Sequence, residues 1–283
     1  MDITGSTRVF LVLGDPVAQV RTPEIYNHLF RTHGIDAVLV PAQVPAAALS
    51  DFVRGSLAAR NIDGLWITIP HKAGLLPLLD HCDALGRAAG AVNAVRRKPD
   101  GSIEGALFDG VGFVKALDHF NIPVAGRRVL VAGAGGAGMA ITVSLAQRGV
   151  GRLVLFDATP GRAAEVAQRL RVSFPVDVAT PASCDPAGFD LVVNATPLGL
   201  KPGDALPFDV SRIDAHAAVV DILMTRRATP LLEACAERGI TAHPGYEMLV
   251  QQIPEYLSFF GFDSLASTLQ ADSSEVRALL QPR

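Results

Sequence analysis

A short glycine-rich stretch between an apolar strand and a helix constrains this chain more than any other feature. Residues 129–139 read Val-Leu-Val-Ala-Gly-Ala-Gly-Gly-Ala-Gly-Met, and Gly133, Gly135 and Gly138 match the pattern G-x-G-x-x-G. The first glycine permits a tight turn, the second lets the backbone approach a pyrophosphate, and the third lets the helix pack against the strand. The helix predicted at 136–148 directs its N–H groups and its positive dipole end at the phosphates.

The residues that follow favour a dinucleotide over the alternative, an ordinary glycine-rich βα turn. Gly149 ends the helix, a second strand is predicted at 152–156, and Asp157 stands at its end. An acid about 20 residues past the last glycine binds the ribose 2′-OH of NAD. Arg162 could soften a preference for NAD. The cofactor contacts predicted from this unit are Gly133, Ala134, Gly135, Gly136, Ala137, Gly138, Asp157 and Arg162.

Composition indicates a soluble globular protein of one large or two ordinary domains. The chain has 283 residues, of which 49% are hydrophobic and 19% charged, and its net charge is −3. This balance gives no reason to expect nucleic acid or an anionic membrane as partner. The three cysteines lack metal-site spacing, so no metal is expected. With neither a signal peptide nor a transmembrane-length apolar run apparent, we expect a cytoplasmic protein.

The N-terminal third alternates strands and helices before the glycine motif is reached. Strands are predicted at 9–13, 37–40 and 64–70, with helices at 22–33 and 45–59, the first capped by Thr22. This alternation predicts an α/β unit with a mostly parallel sheet. His71 and Lys72 follow the third strand, where ligands bind in open α/β sheets.

The rest of the chain continues the α/β pattern and ends in helices. Short helices are predicted at 73–79 and 84–89, a hairpin turns at 99–101, and a helix runs to 120. Later strands are predicted at 191–194 and 218–222. Helices follow at 228–238, at 248–260 with a kink at Pro254, and at 264–280.

Several segments, in order, resemble the shikimate dehydrogenase family. The matching pieces are Gly14-Asp-Pro16 with Thr22-Pro23, Thr68-Ile-Pro-His-Lys72, Gly90-Ala-Val-Asn93, Asp109-Gly-Val-Gly112, Gly133-Ala-Gly-Gly136, Asn194-Ala-Thr196 with Gly199, and Gly245 with Met248 and Gln252. The resemblance implies a two-domain α/β protein. Residues 1–112 with 243–283 would form a substrate-binding catalytic domain, and 113–242 a Rossmann NAD(P)-binding domain. The C-terminal helices would return to the first domain, with the active site in the cleft between the domains.

The resemblance also implies roles for individual residues. Lys72 and Asp109 match the pair that moves the hydroxyl proton during hydride transfer, and a lysine in that role needs a lowered pKa. Substrate-binding roles fall on Thr22, Thr68, Asn93 and Gln252. Further cofactor contacts fall on Asn194, Ala195, Thr196 and Gly245. Taken one by one, these residues also have ordinary structural explanations as caps, turns and surface polar groups.

The chain departs from the family at the substrate carboxylate. The family's S-x-S-P loop is Val20-Arg-Thr-Pro23 here, an expected asparagine is Trp66, and a tyrosine expected near Met224 is absent. The segment before Asp109 is Ala106-Leu-Phe, which makes the pocket more apolar. Each lost carboxylate contact costs about 1–3 kcal/mol. Arg21 would either compensate with a bidentate grip or lie on the surface.

The cofactor segment departs as well. Where NADP-using members carry Asn-Arg-Thr, this chain has Asp157-Ala-Thr159. Asp157 repels a 2′-phosphate and Ala158 supplies no guanidinium. We therefore predict NAD over NADP by at least about tenfold in kcat/KM, or roughly 1.4 kcal/mol.

Three hypotheses follow for the function. The first is an NAD-preferring dehydrogenase acting on a ring hydroxyl of shikimate, quinate or a related cyclic polyol acid, or on the matching ketone. The second is a family member whose substrate lacks the carboxylate or carries an apolar group. The third is a nicotinamide-binding regulatory protein without turnover, although the set Lys72, Asn93 and Asp109 argues against it. A monomer and a homodimer are both compatible with the sequence.

Overall fold

The computed structural model describes residues 2–201, 203–225 and 227–280, which form two compact units. The first unit comprises residues 2–108 with Ile253–Leu279, and the second comprises Asp109–Gln252 with Leu280. These divisions fall at 108 and 252, whereas the sequence placed them at 112 and 242. Each unit is described by itself below.

The chain contains twelve strands and ten α-helices within the described residues. The strands are β1 (Arg8–Gly14), β2 (Ala37–Gln43), β3 (Ile62–Ile67), β4 (His81–Cys82), β5 (Ala94–Arg97), β6 (Ile103–Ala106), β7 (Arg128–Ala132), β8 (Arg152–Phe156), β9 (Asp177–Ala179), β10 (Leu191–Asn194), β11 (Ala218–Asp221) and β12 (Thr241–Pro244). The helices are α1 (Thr22–Thr32), α2 (Leu49–Ala58), α3 (Ala84–Ala89), α4 (Asp109–His119), α5 (Gly136–Gln147), α6 (Arg162–Ser173), α7 (Pro230–Glu237), α8 (Tyr246–Phe259), α9 (Asp263–Ala271) and α10 (Ser274–Leu280).

The first unit is built on a mixed sheet in the order β2-β1-β3-β5-β6-β4. Strand β1 pairs in parallel with both of its neighbours. The hairpin β5–β6 is antiparallel, and its turn contains Gly101 at φ +87°. The predicted parallel α/β unit and its hairpin are therefore both present.

The two faces of this first sheet have different cores, because successive side chains of a strand point to opposite faces. One face carries aliphatic side chains from β1, β3 and α2, among them Leu13, Val53 and Leu65. The other carries an aromatic cluster around Trp66, formed by Phe10, Tyr26, Phe30, Phe108, Tyr256, Phe259, Phe260 and Phe262. Gly64 in β3 is required by this packing, since the Phe260 ring occupies the place that a Cβ would take.

The second unit is an all-parallel sheet in the order β12-β11-β10-β7-β8-β9. Counted from β7 as the first strand, this is the order 3-2-1-4-5-6 of dinucleotide-binding folds. The strand order reverses between β7 and β10, and ligands bind beyond the carboxyl ends of the strands at such a point. The glycine stretch follows β7, and Asn194 is paired with Ala132 across the reversal.

Three local predictions differ from the structure, and three short strands were not predicted. Residues 69–75 are turns followed by a 3₁₀ turn at Leu76–Leu78 rather than a helix. Helix α1 is capped by Arg21, with Thr22 already inside the helix. The last helix is two helices, because the Asp272 carboxylate accepts the Ser274 N–H at 2.8 Å and ends the first of them. The short strands β4, β9 and β12 have too few apolar residues to be recognised from sequence.

Candidate functional site

The glycine turn after β7 is held against the neighbouring loop after β10. Gly133 adopts φ +103°, and a Cβ there would lie 2.5 Å from the Ala195 carbonyl oxygen. At Gly138 a Cβ would overlap the carbonyl oxygen of Gly133, so α5 can start this close to β7 only with glycine. Both glycines are therefore required by packing within the protein, as the motif predicts for a tight turn and a close helix–strand contact.

Gly135 has a different role, because no described part of the protein packs against it. It is the N-cap of α5 in extended backbone, and its helix has no side-chain cap. Apart from its two chain neighbours, no described residue has an atom within 4 Å of a Cβ built at Gly135. The first-turn N–H groups of a helix lack intrahelical acceptors. The space beside Gly135 is thus open, and the absence of a side chain leaves the start of α5 accessible to the pyrophosphate of a dinucleotide.

Asp157 is fixed at the end of β8 by two backbone donors. Its carboxylate accepts the Ala134 N–H at 2.7 Å and the Thr159 N–H at 2.8 Å. Partial burial opposes ionisation of Asp157, but these hydrogen bonds outweigh it and hold the pKa of the carboxyl below its ordinary value. Arg162 lies 3.7 Å from the same carboxylate and is half exposed. The acid is therefore an ionised group anchored to the glycine turn itself.

Asn194 is a scaffold for the loop that follows β10. It is fully buried, and its side-chain oxygen accepts the Thr196 N–H at 3.0 Å and the Thr196 hydroxyl at 2.7 Å. Its amide nitrogen donates to the Leu198 carbonyl and to the Asp221 carboxylate. Both ends of the Asn194 amide are therefore used within the protein, where they shape this loop.

Asp221 is a buried carboxylate that the sequence did not single out. Its two oxygens accept the Asn194 amide at 3.0 Å, the Leu223 N–H at 3.2 Å and the Thr229 hydroxyl at 2.5 Å. Burial raises the pKa of Asp221 above its ordinary value, and these hydrogen bonds act against that rise. One sequence signal could have identified Asp221. It is an acid at the end of a buried strand, and it comes eight residues before the Thr-Pro pair that begins a helix.

Gly245 lies against the end of β11. A Cβ at this position would overlap backbone atoms of Ile222, so the turn into α8 requires glycine for close packing. The adjacent Tyr246 hydroxyl donates to the Thr225 carbonyl at 2.5 Å, in the segment where the expected tyrosine is absent and Met224 is exposed.

Asp109 and Gln252 belong to the second unit and lie on two helices in close contact. Asp109 begins α4, and Gln252 lies in α8; both are buried. A Cβ at Gly112 would lie 2.8 Å from the Gln252 Cβ, so this glycine allows the two helices to approach. Gly110 is close to the carbonyl of Ala140 in the same way. Close helix packing therefore explains why both glycines occur in the motif Asp109-Gly-Val-Gly112.

Thr68, Lys72 and Asn93 are brought together in the first unit. The Asn93 carbonyl accepts the Ile67 N–H at 2.8 Å, and the Lys72 carbonyl accepts the Val92 N–H at 3.0 Å. The turn between Thr68 and Lys72 is fixed by the buried His71, whose Nε2 donates to the Val44 carbonyl at 2.7 Å. Asn93 is fully buried, and its side-chain oxygen accepts the Phe108 N–H at 2.9 Å.

The loop before α1 shows where Arg21 points. Its guanidinium donates to the Leu279 carbonyl at 3.0 Å and lies 3.6 Å from Glu24. The side chain is 44% exposed, which places it at the surface rather than in a carboxylate grip. Thr22 is half-buried in the first turn of α1, and Val20 is half-buried beside it.

Neither a metal site nor a membrane span is found in the described ranges. The described residues contain no group of three or more His, Cys, Asp or Glu side chains arranged to hold a metal ion. Among the same residues, none of the helices combines the length and apolar character needed to cross a membrane.

Comparison with known proteins agrees with this geometry. The sequence-family model described as the shikimate dehydrogenase substrate binding domain matches residues 12–95 of this chain. A shikimate dehydrogenase (NADP(+)) of Rubrobacter xylanophilus is 38% identical over 257 residues, covering 88% of this chain and 89% of that protein.

Solved structures resemble nearly the whole chain. Shikimate 5-dehydrogenase from Listeria monocytogenes, in complex with shikimate and NAD, has a TM-score of 0.85 at 25% identity and covers 95% of this chain and 98% of that one. Ligand-free 5-ketofructose reductase of Gluconobacter sp. strain CHM43 has a TM-score of 0.83 at 27% identity, and the match covers 95% of this chain and 99% of that one. The chain therefore belongs to the shikimate dehydrogenase family and is an NAD(P)-dependent oxidoreductase of that family.

Proposed function

We propose that this oxidoreductase prefers NAD and interconverts a hydroxyl and a ketone of a cyclic substrate such as shikimate, quinate or a related molecule. The observation that carries the cofactor preference is the anchored Asp157 carboxylate, held by the Ala134 and Thr159 N–H groups. A bound nicotinamide dinucleotide would accept the hydride in oxidation and supply it in reduction, and residues 133–138 with Asp157 would hold it. The loop 194–196 and Gly245 would complete the cofactor contacts.

Asp157 favours a free ribose 2′-OH for two reasons. An ionised carboxylate accepts a hydrogen bond from a hydroxyl and repels a 2′-phosphate. The neighbouring Ala158 offers no charged donor, and Arg162 already lies 3.7 Å from Asp157. The Rubrobacter relative is named for NADP(+). The preference proposed for this chain therefore rests on its own Asp157.

Lys72 is the proposed proton-transfer residue, with Asp109 as its charged partner. Oxidation of a secondary alcohol needs a group that takes the hydroxyl proton, and reduction of the ketone needs one that returns it. Lys72 is half-buried in a turn fixed by His71, and Asp109 is buried at the start of α4. Fixed groups of this kind can meet a hydroxyl with little reorganisation.

The substrate hydroxyls would be oriented by neutral side chains. Thr68 and Asn93 in the first unit, Thr22 in α1 and Gln252 in α8 are the proposed contacts. Asn93 supports this assignment, because its amide nitrogen has no hydrogen-bond partner among the described residues although the side chain is buried. A buried donor in this state indicates that a further acceptor completes the site.

Steady-state kinetics test the proposal. The panel is shikimate and quinate with NAD or NADP, and 5-ketofructose with NADH or NADPH. We expect kcat/KM with NAD to exceed that with NADP by at least about tenfold. Equal use of the two cofactors would refute the NAD preference. Hydride transfer to or from none of the panel would refute the proposed substrate class.

A further inference from the structure

Arg21 directly precedes Thr22, one of the proposed substrate contacts, and its side chain turns towards the other end of the sequence. Its guanidinium donates to the Leu279 carbonyl at 3.0 Å, across 258 residues. Leu279 lies in the last turn of α10, where the carbonyls have no intrahelical donor and carry negative partial charge. A guanidinium is a suitable donor for such a group. The contact therefore ties the start of α1 to the end of α10.

A second contact joins α1 to the first turn of α10. Glu275 accepts hydrogen bonds from the ring N–H groups of His28 at 3.1 Å and of His33 at 2.9 Å. Both oxygens of this carboxylate are therefore used, by the second half of α1 and by the residue that ends it. The contacts of Arg21 and Glu275 have opposite orders in the two helices, so α10 runs antiparallel to α1. Helix α10 is thereby attached to α1 at its first turn and at its last.

The loop between β1 and α1, residues 15–21, is held at both of its ends. At the first end, the Asp15 N–H donates to the Ile69 carbonyl at 3.1 Å. At the second end, the hydrogen bond that reaches beyond the loop and α1, among the described residues, is that of Arg21 with Leu279. The hydrogen bonds in between join residues three apart within the loop. The position of the second end therefore depends on Arg21 and on the packing of α1.

Thr22 lies at this second end, in the first turn of α1, and is half-buried. It carries the single side-chain hydroxyl of residues 20–23, because Val20 stands in place of the first serine of the family's loop. This hydroxyl has no hydrogen-bond partner among the described residues, so it is available to a ligand. A binding group that is displaced by about 1 Å loses much of its effect. The substrate contact of Thr22 is therefore sensitive to how firmly the start of α1 is held.

Arg21 is placed to support Thr22 rather than to bind the substrate itself. Its guanidinium is bound to the Leu279 carbonyl, and its charge is balanced by Glu24 at 3.6 Å. Because 44% of the side chain is exposed, an anion at this position would compete with water and with Glu24. An exposed contact of this kind contributes little to the overall stability of a protein. Its loss should therefore be felt locally, at the start of α1.

We propose that Arg21 is a positioning residue for substrate binding. Together with the contact of Glu275 to His28 and His33, it fastens the start of α1 to α10 and so places the Thr22 hydroxyl. Helix α10 then contributes to substrate affinity without touching the substrate. This inference rests on the proposed function, since Thr22 is a substrate contact only there.

Two substitutions loosen the two attachments separately. Arg21→Met keeps the apolar stem and removes the guanidinium, and Glu275→Ala removes the acceptor of both histidines. Kinetics are measured with NAD or NADH and the best substrate among shikimate, quinate and 5-ketofructose. In each variant, KM for that substrate should rise by about three- to tenfold, while kcat and KM for the cofactor stay within about twofold of the wild type. The double variant should raise KM by less than the product of the single effects, because both substitutions free the same helix.

Arg54→Met is the matched control. Arg54 is exposed on α2, which covers the other face of the first sheet, so the same chemical change there should leave every kinetic constant unchanged. Glu275→Gln keeps an acceptor oxygen for one histidine and should raise KM less than Glu275→Ala does. Thermal unfolding checks that the variants fold, and Glu275→Gln takes the place of Glu275→Ala if the alanine variant does not.

The kinetic outcomes separate positioning from the alternatives. A raised KM in Arg21→Met with a wild-type KM in both Glu275 variants would show that Arg21 acts on the substrate directly, which overturns the inference. Unchanged substrate KM in Arg21→Met overturns it as well. A parallel loss of kcat and of cofactor affinity would indicate general damage to the fold and would also count against it.

Turnover of none of the three substrates by the wild type would refute the proposed function instead. Amide hydrogen exchange across residues 17–25 then decides whether α10 holds the β1–α1 loop, since it needs no substrate. Exchange at least about threefold faster in Arg21→Met and Glu275→Ala than in Arg54→Met supports this attachment. Equal exchange in the three variants overturns it.

Discussion

Replacing Asp157 by asparagine should change cofactor choice more than any other single substitution in the second unit. A dianion about 5 Å from a carboxylate in a water-like dielectric is repelled by about 1.7 kcal/mol, or roughly 20-fold in a binding constant. The asparagine side chain would remove this repulsion while keeping the shape of the aspartate. We therefore expect Asp157→Asn to shift the NAD-to-NADP ratio of kcat/KM by about 20-fold towards NADP.

The substitution has a second effect on stability. Both Asp157 oxygens accept backbone N–H groups, from Ala134 and Thr159. An asparagine keeps one acceptor and turns an N–H₂ group towards the other donor, so about 1–3 kcal/mol of unfolding free energy is lost. The kinetics must therefore be measured below the melting transition of the variant, which a denaturant titration locates.

Asp177→Asn is the matched control. Asp177 begins β9 in the same sheet, is 65% exposed and lies 3.7 Å from Arg152. The substitution removes the same charge at the amino end of a strand, away from the glycine turn, and should leave the cofactor ratio unchanged. An unchanged ratio in Asp157→Asn, or an equal shift in both variants, would show that Asp157 does not select the cofactor.

Three further predictions follow from the site. Lys72→Ala should lower kcat by about 10²- to 10⁴-fold without weakening NAD binding. The control Lys98→Ala, in the β5–β6 turn, should leave kcat unchanged; turnover assays and NAD titration measure both variants. Gly135→Ala should keep or slightly raise the melting temperature yet weaken NAD binding at least about tenfold, because its Cβ enters only the open space where the pyrophosphate is proposed to lie. Gly133→Ala should instead lower the melting temperature, since φ +103° and the Ala195 carbonyl exclude a side chain. The pKa of Asp221 is higher in the folded protein than in the unfolded chain, so the folded state holds the proton more tightly. This contribution to the free energy of unfolding is fully present below the unfolded pKa and is lost as pH rises through the folded pKa. Asp221→Asn should reduce that loss in urea titrations above about pH 4, and an identical pH slope in both proteins would contradict the argument.

The second unit was largely readable from sequence because its signals are local. The apolar runs of β7, β8 and β10 are short, buried on both faces and ended by glycine or a polar residue. The residues of each motif lie close together in the chain, so their spacing contains most of the geometry. The position of Asp157 at the end of β8 could be predicted for the same reason. The two backbone N–H groups that hold its carboxylate could not be predicted.

The first unit was harder to read because its decisive contacts join distant segments. Arg21 had two possible orientations, and the one observed depends on the Leu279 carbonyl at the other end of the sequence. Trp66 could be recognised as a departure, but its packing partners come from α1 and from α8. In the second unit, Asp221 was missed for a similar reason, because a buried acid resembles any strand-ending acid until Thr229 and Asn194 are brought to it.

The proposed function would place specificity on different kinds of groups in the two units. In the second unit, the polar side chains at the strand ends are used internally: Asn194 holds Thr196, and Asp221 holds Thr229. In the proposed function, the backbone would bind the parts common to NAD and NADP, and the charge of Asp157 would decide between them. In the first unit, the amide nitrogen of the buried Asn93 has no hydrogen-bond partner among the described residues. We therefore expect changes of substrate to arise from side chains of the first unit, while the cofactor turn stays constrained by the close packing of Gly133 against Ala195.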